Sequence, residues 1–287
     1  MRLYLASTSP ARRALLAQTG IEPVLVAPGV DEDAAVTRVA SALGRDLTGP
    51  ELVAMLAVEK AAAVADGAVT VDGGPVDGFV FGGDSAFEVD GVLYGKPHDA
   101  AIARDRWRQM LAAGGGTLWS GHCVIDRRRA QDAADGGRGG SALDTSDSGP
   151  GGAWRAGTVP PVRTVDAMGG GPLGLAGSVT DVAPGGSGMV AAGDRVVAVD
   201  SAVLTFADDM SPEEIDAYVA TGEPLEVAGA FTIDGRAAAY ITRIDGAPSA
   251  VVGLSLPVLR SMLLRGFGIA WHDLWASEPR GTVDIHT

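Results

Sequence analysis

Apolar residues fall into short blocks and helical stripes from Met1 to Asp126 and again from Arg195 onward, and lose both rhythms in between. RLYLA (2–6) and EPVLVAP (22–28) have the compact apolar runs of buried strands, and a helix is expected between them over Arg12–Gln18. PELVAMLAVEKAAAVA (50–65) sets Leu52, Leu56, Lys60 and Val64 at helical spacing. FVFGGDSAFEVDGVLYGKP (79–97) predicts a strand, a break at Gly82-Gly83, a second strand and a turn. Asp99 is suited to cap a helix over DAAIARDRWRQMLAA (99–113), and LWSGHCVID (118–126) is strand-like. RVVAVDSAVLTF (195–206) predicts a strand. SPEEIDAYVAT (211–221) predicts a helix capped by Ser211, with Pro212 in its first position and Glu214 closing a capping box. AGAFTIDGRAAAYITRIDG (228–246) reads as a hairpin turning at Asp234-Gly235, and LSLPVLRSMLLRGFG (254–268) as a closing amphipathic helix. Strands and helices alternate, which is the signature of an α/β fold.

The stretch from 127 to 194 is dominated by Gly, Ala, Ser, Asp and Pro, and burial of so few apolar groups would not offset its ordering entropy. It is expected to be a flexible, low-complexity, Gly-rich insertion. The expected organisation is one catalytic domain made of residues 1–126 and 195–276, with the insertion between them and a tail at 277–287. Composition then narrows the function. The chain carries 36 acidic against 22 basic residues, a net charge of −14, which argues against nucleic acid or an anionic membrane as the main partner. Cys123 is the sole cysteine, so no internal disulfide is available. MRLYLAS resembles no signal peptide, and no apolar run approaches the roughly 20 residues of a membrane span. A cytoplasmic location is expected.

Only Lys60 and Lys96 are lysines, against 20 arginines. A bias that exchanges Lys for Arg wherever either serves leaves lysine where a compact ammonium is required. The stretch LASTSPARRALL (5–16) adds hydroxyls at Ser7, Thr8 and Ser9, Pro10 at a helix start, and Arg12 and Arg13. It fits a phosphate cradle at a helix N-terminus, and equally an ordinary capped helix with solvated arginines. Asp84 follows Gly82-Gly83 at the end of an apolar strand, either as a reactive carboxylate or as a cap. The run VDED (30–33) offers Glu32 in a loop, as a metal ligand or a solvated acid. Taken together, these cations, hydroxyls and carboxylates suit a metal-bound polyphosphate. His98 and His122 lack metal-site spacing, and Cys123 lacks a setting that would activate a thiol.

LASTSPARRALL, LAVEKAAAVA, GGDS, YGKP, TGEPLEVAGAFTIDG and VVGLSLPVL follow one another as in the Maf-like nucleoside triphosphate pyrophosphatases, which this chain resembles nearly everywhere outside 127–194. The resemblance implies a mixed twisted sheet with flanking helices, in two lobes around a deep cleft like that of inosine triphosphate pyrophosphatases. It implies hydrolysis of a nucleoside triphosphate to monophosphate and pyrophosphate with Mg²⁺ or Mn²⁺, usually in a homodimer. Carried over by position, Asp84 is the proton acceptor and a metal ligand with Glu32. Lys60, Lys96 and Arg12 are catalytic, and Ser7, Ser9, Arg13, Ser85 and Asp234 bind substrate. Ala11, Ser85 and Asp234 depart from the Arg, Thr and Gln of the pyrimidine-triphosphate branch, and Val227 replaces a frequent Lys. An acidic side chain at Asp234 accepts hydrogen bonds only, which favours the two donors on guanine's edge, whereas the loss of a side chain at Ala11 favours broad specificity. The other reading is a nucleotide-binding regulator of cell division, the septum-inhibiting role behind the family's name.

Overall fold

The computed structural model describes residues 1–67, 69–71, 73–128, 163–164 and 179–276. Nine strands form one mixed sheet: β1 (Leu3–Ala6), β2 (Val24–Val26), β5 (Phe79–Val89), β6 (Val92–Tyr94), β7 (Gly115–Asp126), β8 (Arg163–Thr164), β9 (Ser187–Ala192), β10 (Arg195–Phe206) and β11 (Ile241–Asp245). The short strands β3 (Thr70–Val71) and β4 (Gly74–Pro75) make a separate ribbon. The strand order is β2-β1-β5-β7-β10-β9-β8. β1 runs parallel to β2 and β5, whereas β5, β7, β10 and β9 are mutually antiparallel neighbours. The helices are α1 (Pro10–Gln18), α2 (Glu32–Leu43), α3 (Gly49–Ala65), α4 (Ala100–Ala113), α5 (Pro212–Ala220), α6 (Pro248–Val251) and α7 (Leu256–Ser261). No helix among the described residues is long and apolar enough to cross a membrane.

Strand alternation divides the core. Leu3, Leu5, Phe79 and Phe81 pack on one face against Leu16 of α1 and Val258 and Leu259 of α7. Tyr4, Ala6 and Val80 pack on the other against Val53, Ala57 and Ala61 of α3. A third cluster, rich in aromatics, gathers at the end of the sheet where β5 and β10 finish and β7 begins: Phe87, Leu118, Leu204 and Phe206 meet Trp107, Tyr218 and Phe231. Between these cores β5, β7 and β10 carry a polar belt. Asp84 lies opposite Gly121, Ser85 opposite Ser120, and Ser120 opposite Asp200. The outer strands part at this level. β1 pairs with β5 as far as Gly82 and the pairing of β5 with β6 begins at Phe87, so residues 83–86 have a ladder partner on the β7 side alone.

Helix α3 lies unusually close to the sheet at the belt. A Cβ at Gly82 would lie 2.3 Å from the Ala57 carbonyl oxygen, and one at Gly121 would lie 2.0 Å from that of Val53. Only hydrogen fits at either position, and alanines on α3 complete the approach. The N-terminus of this helix is fixed by a capping box between Thr48 and Glu51, whose carboxylate also receives both Nη atoms of Arg45 at 2.7 and 2.8 Å.

Several elements depart from the expected pattern. β5 passes through Gly82-Gly83 without a break, because Gly82 serves the approach of α3 rather than a turn and Gly83 faces Phe81 and Arg12. Residues 187–192 join the main sheet as β9 instead of the insertion, and residues 179–194 all lie among the described residues. Met189 and Val190 reach opposite cores, a two-faced burial too short to stand out in a Gly-rich context. VDED is no loop: Asp31 caps α2 by accepting from Ala34 N at 3.0 Å, and Glu32 is the first helical residue. The hairpin at Asp234-Gly235 is replaced by 3₁₀ turns at Ala228–Ala230 and Arg236–Tyr240, followed by β11. Glu223 accepts from Arg236 N at 2.9 Å, and RAAAY prefers a helical turn to a strand. The closing helix is regular only over Leu256–Ser261 and then widens into a π turn, Met262–Gly266. Residues 129–162, 165–178 and 277–287 of the expected insertion and tail lie outside the described residues.

Gly121→Ala is expected to cost about 1–3 kcal/mol or more of stability, because the new methyl meets backbone rather than a yielding side chain. Urea denaturation checks this, and a variant as stable as the parent would show that α3 has room to move.

Candidate active site

The belt assembles its charges around Lys60. This residue sits in the fourth turn of α3, and its Nζ donates to Asp84 Oδ1 at 2.6 Å and pairs with Glu32 Oε1 at 2.8 Å. The Lys60 side chain is 9% exposed and that of Asp84 13%, whereas Glu32 is 49% exposed, so Glu32 forms the solvent side of the group. Glu32 belongs at its position twice over, since a carboxylate in the first turn of α2 also meets the positive end of that helix. Burial pushes the Asp84 carboxyl above its ordinary range, the charges of Lys60 and Arg12 pull it partly back, and Glu32 adds to the rise.

Arg12 approaches from the opposite face. Its Nε donates to the Gly253 carbonyl at 2.7 Å, one terminal nitrogen to Ser7 Oγ at 3.3 Å and the other to Ser85 Oγ at 3.1 Å. Burial lowers its affinity for a proton while Asp84 and Glu32 raise it, and a guanidinium remains charged throughout. Two buried cations are thus set against one buried and one half-exposed carboxylate. Gly253 adopts φ +100, and a Cβ there would stand 2.9 Å from Ser85 Oγ, which explains the glycine at the point where this loop meets the belt. Ser85 Oγ lies 3.4 Å from Ser120 Oγ, and Ser120 donates to the Ala250 carbonyl at 2.7 Å.

The hydroxyls at the start of α1 are engaged with backbone. Ser9 caps the helix by accepting from Arg12 N at 3.4 Å, and Ser7 Oγ accepts from Ser9 N at 3.1 Å. Arg13 is exposed on the outer side of α1. Lys96 is half exposed in the turn after β6 and lies 3.9 Å from Glu226, outside the Lys60 ion-pair group. Asp234 is exposed, hydrogen-bonded to Thr232, and lines a depression of about 260 Å³ with Ala11, Leu15, Gln18, Ile233 and Ser249. Ala11 and Asp234, two of the three positions whose identity departs from the pyrimidine pattern, therefore share one depression beside α1.

Sequence reading missed the Gly253 carbonyl, Ser120 and the environment of His122. His122 is buried, its pKa is pushed down to about 3 by burial and by Arg12, and its Nε2 accepts from Ser255 N at 2.8 Å. It is a neutral acceptor holding the 253–255 loop, in keeping with its exclusion as a metal ligand. Cys123 is buried and its thiol is pushed up to about 12, which keeps it un-ionised. Alternation within LWSGHCVID does carry the Ser120–His122 signal, since two polar residues share one face of an otherwise apolar strand. The Gly253 carbonyl has no sequence signal beyond the glycine itself.

A family model described as Maf-like protein matches residues 2–138 and 176–266, which bracket the whole belt. The chain belongs to the Maf-like family. Among curated relatives, the nucleoside triphosphate pyrophosphatase of Leifsonia xyli subsp. xyli is 43% identical over 275 residues, covering 96% of this chain and 97% of that one. Proteins of the same name from Nocardia farcinica and Streptomyces coelicolor are each 36% identical, over 97% and 96% of this chain and 98% and 95% of theirs. The Maf-like model leaves 139–175 unmatched, a narrower gap than the compositional change at 127–194. The relatives match this chain at nearly full length.

Arg12→Lys keeps the charge but cannot serve three acceptors in three directions. It is expected to lose about 1–3 kcal/mol in chemical denaturation. Equal stability would mean that the guanidinium fork does not tie α1 to the 253 loop.

Proposed function

We propose that this protein hydrolyses a nucleoside triphosphate to the monophosphate and pyrophosphate, a house-cleaning reaction on non-standard nucleotides. The observation that carries this reading is Asp84, a buried carboxylate held against an ammonium on the stretch of β5 that pairs with β7 alone. A protein that only binds nucleotides needs phosphate and base contacts but no buried base. The enzyme is therefore the better reading than a regulator of cell division.

Asp84 and Glu32 are suitable holders for a divalent ion. They are hard oxygen donors 2.6 and 2.8 Å from a common ammonium, so their carboxylates converge, and two carboxylates plus substrate phosphates and water suffice for Mg²⁺. Among the described residues no group of three or more His, Cys, Asp and Glu converges, in keeping with a site completed by the substrate rather than a dedicated cage. When bound, such an ion would neutralise phosphate charge and lower the pKa of the attacking water. Asp84 orients the attacking water and takes its proton, while pyrophosphate leaves from the α-phosphorus. Lys60 favours the ionised form of Asp84 before the attack. Arg12 supplies fixed positive potential from behind the belt. The N-terminus of α1 with Ser7 and Ser9, together with Arg13 and Lys96, meets the phosphates, and Ser85 fixes the belt on the side of Arg12. Asp234, in the depression it shares with Ala11, faces the base and favours one that presents two donors.

The disposition of the cores supports the two-lobed cleft expected of inosine-triphosphate-pyrophosphatase-like proteins. Two clusters lie on the Phe79–Phe81 side of the belt and the aromatic one on the Phe87 side, so the substrate enters at the belt. A homodimer and a cytoplasmic setting belong to the same reading.

Asp84→Asn is expected to cut turnover by about 10²-fold or more while nucleotide binding is largely kept. Turnover near the parent's would remove Asp84 from the mechanism. Because Asp84 must be ionised to act and its carboxyl is raised by burial, the acid limb of kcat/KM should lie above the ordinary carboxylate range of about 4. Lys60→Met removes an influence that lowers the Asp84 pKa, so the residual activity should show its acid limb at still higher pH. A limb that stays put or moves down would contradict the pairing.

A further inference from the structure

Lys96 poses a problem the belt does not solve. An ammonium on a half-exposed, flexible side chain binds phosphate well only if its backbone is fixed, and the turn that carries it is short. The fixing comes from α4. The Arg106 side chain is buried and has no carboxylate partner among the described residues, and one terminal nitrogen donates to the Gly95 carbonyl at 2.5 Å. Its guanidinium lies over the Tyr94 ring, 4.6 Å from the centroid, and Tyr94 in turn donates to Gln109 of the same helix at 2.6 Å. Arg106 Nε finds no hydrogen-bond partner among the described residues.

An arginine so placed is a poor stabiliser. The Gly95 carbonyl already accepts from Gly229 N at 3.3 Å, so removing Arg106 does not strand it. The turn is also held under strain on its far side. His98 adopts φ +54, in the left-handed region, while its N–H donates to the Leu225 carbonyl at 3.0 Å and its ring lies 3.3 Å from Glu226. The backbone around Lys96 is clamped before and after it.

We propose that Arg106 is a positioning residue for Lys96: by gripping the Gly95 carbonyl and the Tyr94 ring, it fixes the turn that presents the Lys96 ammonium to substrate phosphate. The inference rests on the reading above in which Lys96 meets phosphate. It makes the buried, acid-free arginine on α4 part of the phosphate-binding apparatus, and Glu226 a resting partner that the phosphates displace from Lys96.

A double-mutant cycle on binding tests it, with the full chain, Mg²⁺ and the α,β-methylene analogues of GTP and UTP as probes. Arg106→Met should keep the melting temperature close to the parent's, because an apolar chain replaces an unpaired buried charge. It should also raise the Kd about 5–10-fold. In the Lys96→Met background the same substitution should change the Kd by less than about 2-fold, and Arg106→Lys, which still donates to Gly95, should recover part of the loss. Equal effects in both backgrounds would overturn the proposal, as would an Arg106→Met protein that fails to fold, since either marks a structural residue. A parent that binds neither analogue overturns this proposal and the functional reading together. A parent that binds an analogue yet hydrolyses neither GTP nor UTP counts against the enzyme alone, and the cycle still decides the role of Arg106.

Discussion

The close approach of α3 to the sheet determines where the rest of the site lies. Gly82 and Gly121 leave no room for a side chain, so the helix backbone descends to touching distance and brings Lys60 directly onto Asp84. With any larger residue at those positions the ammonium would be carried away from the carboxylate, and Asp84 would sit in the belt with its burial uncompensated. That burial alone would favour the neutral acid. Lys60 and Arg12 oppose it from the two faces of the sheet and pull the Asp84 carboxyl partly back towards the ionised form. The same constraint makes α3 largely apolar, with Lys60 as the buried charge deep in its length beside the more exposed Glu59.

Arg12 does for the opposite face what Lys60 does for the first, by different chemistry. A planar fork reaching Gly253, Ser7 and Ser85 ties three distant segments to the belt, whereas a compact ammonium concentrates its charge on two carboxylates. The scarcity of lysine gains physical meaning here. Arginine stands wherever a spread of donors or a solvated charge suffices, and Lys60 stands where two acids converge on one nitrogen.

Much of this was legible in the chain. The capped helices at Ser9, Asp99 and Ser211 formed where their polar caps and apolar stripes predicted, because those signals are local. The conspicuous grouping of Lys60, Asp84 and Glu32 also followed from the motif set. Other features depend on distant partners. Gly82-Gly83 carries a turn signal and became continuous strand because α3 needed the space. Residues 187–192 look like low-complexity chain and became a strand because β10 offered a free edge. Arg12 reads as a free phosphate ligand, and the structure turns its side chain inward to protein acceptors. Asp234-Gly235 is a hairpin signal that yielded to Glu223 and an alanine-rich turn.

The central claim is that water attacks the α-phosphorus under the direction of Asp84. The most direct measurement is hydrolysis of the triphosphate in ¹⁸O-labelled water, followed by mass analysis of the products. Attack at the α-phosphorus places one labelled oxygen in the nucleoside monophosphate and none in pyrophosphate. Label in pyrophosphate, or release of labelled orthophosphate with a diphosphate, would place the attack at another phosphorus and contradict it.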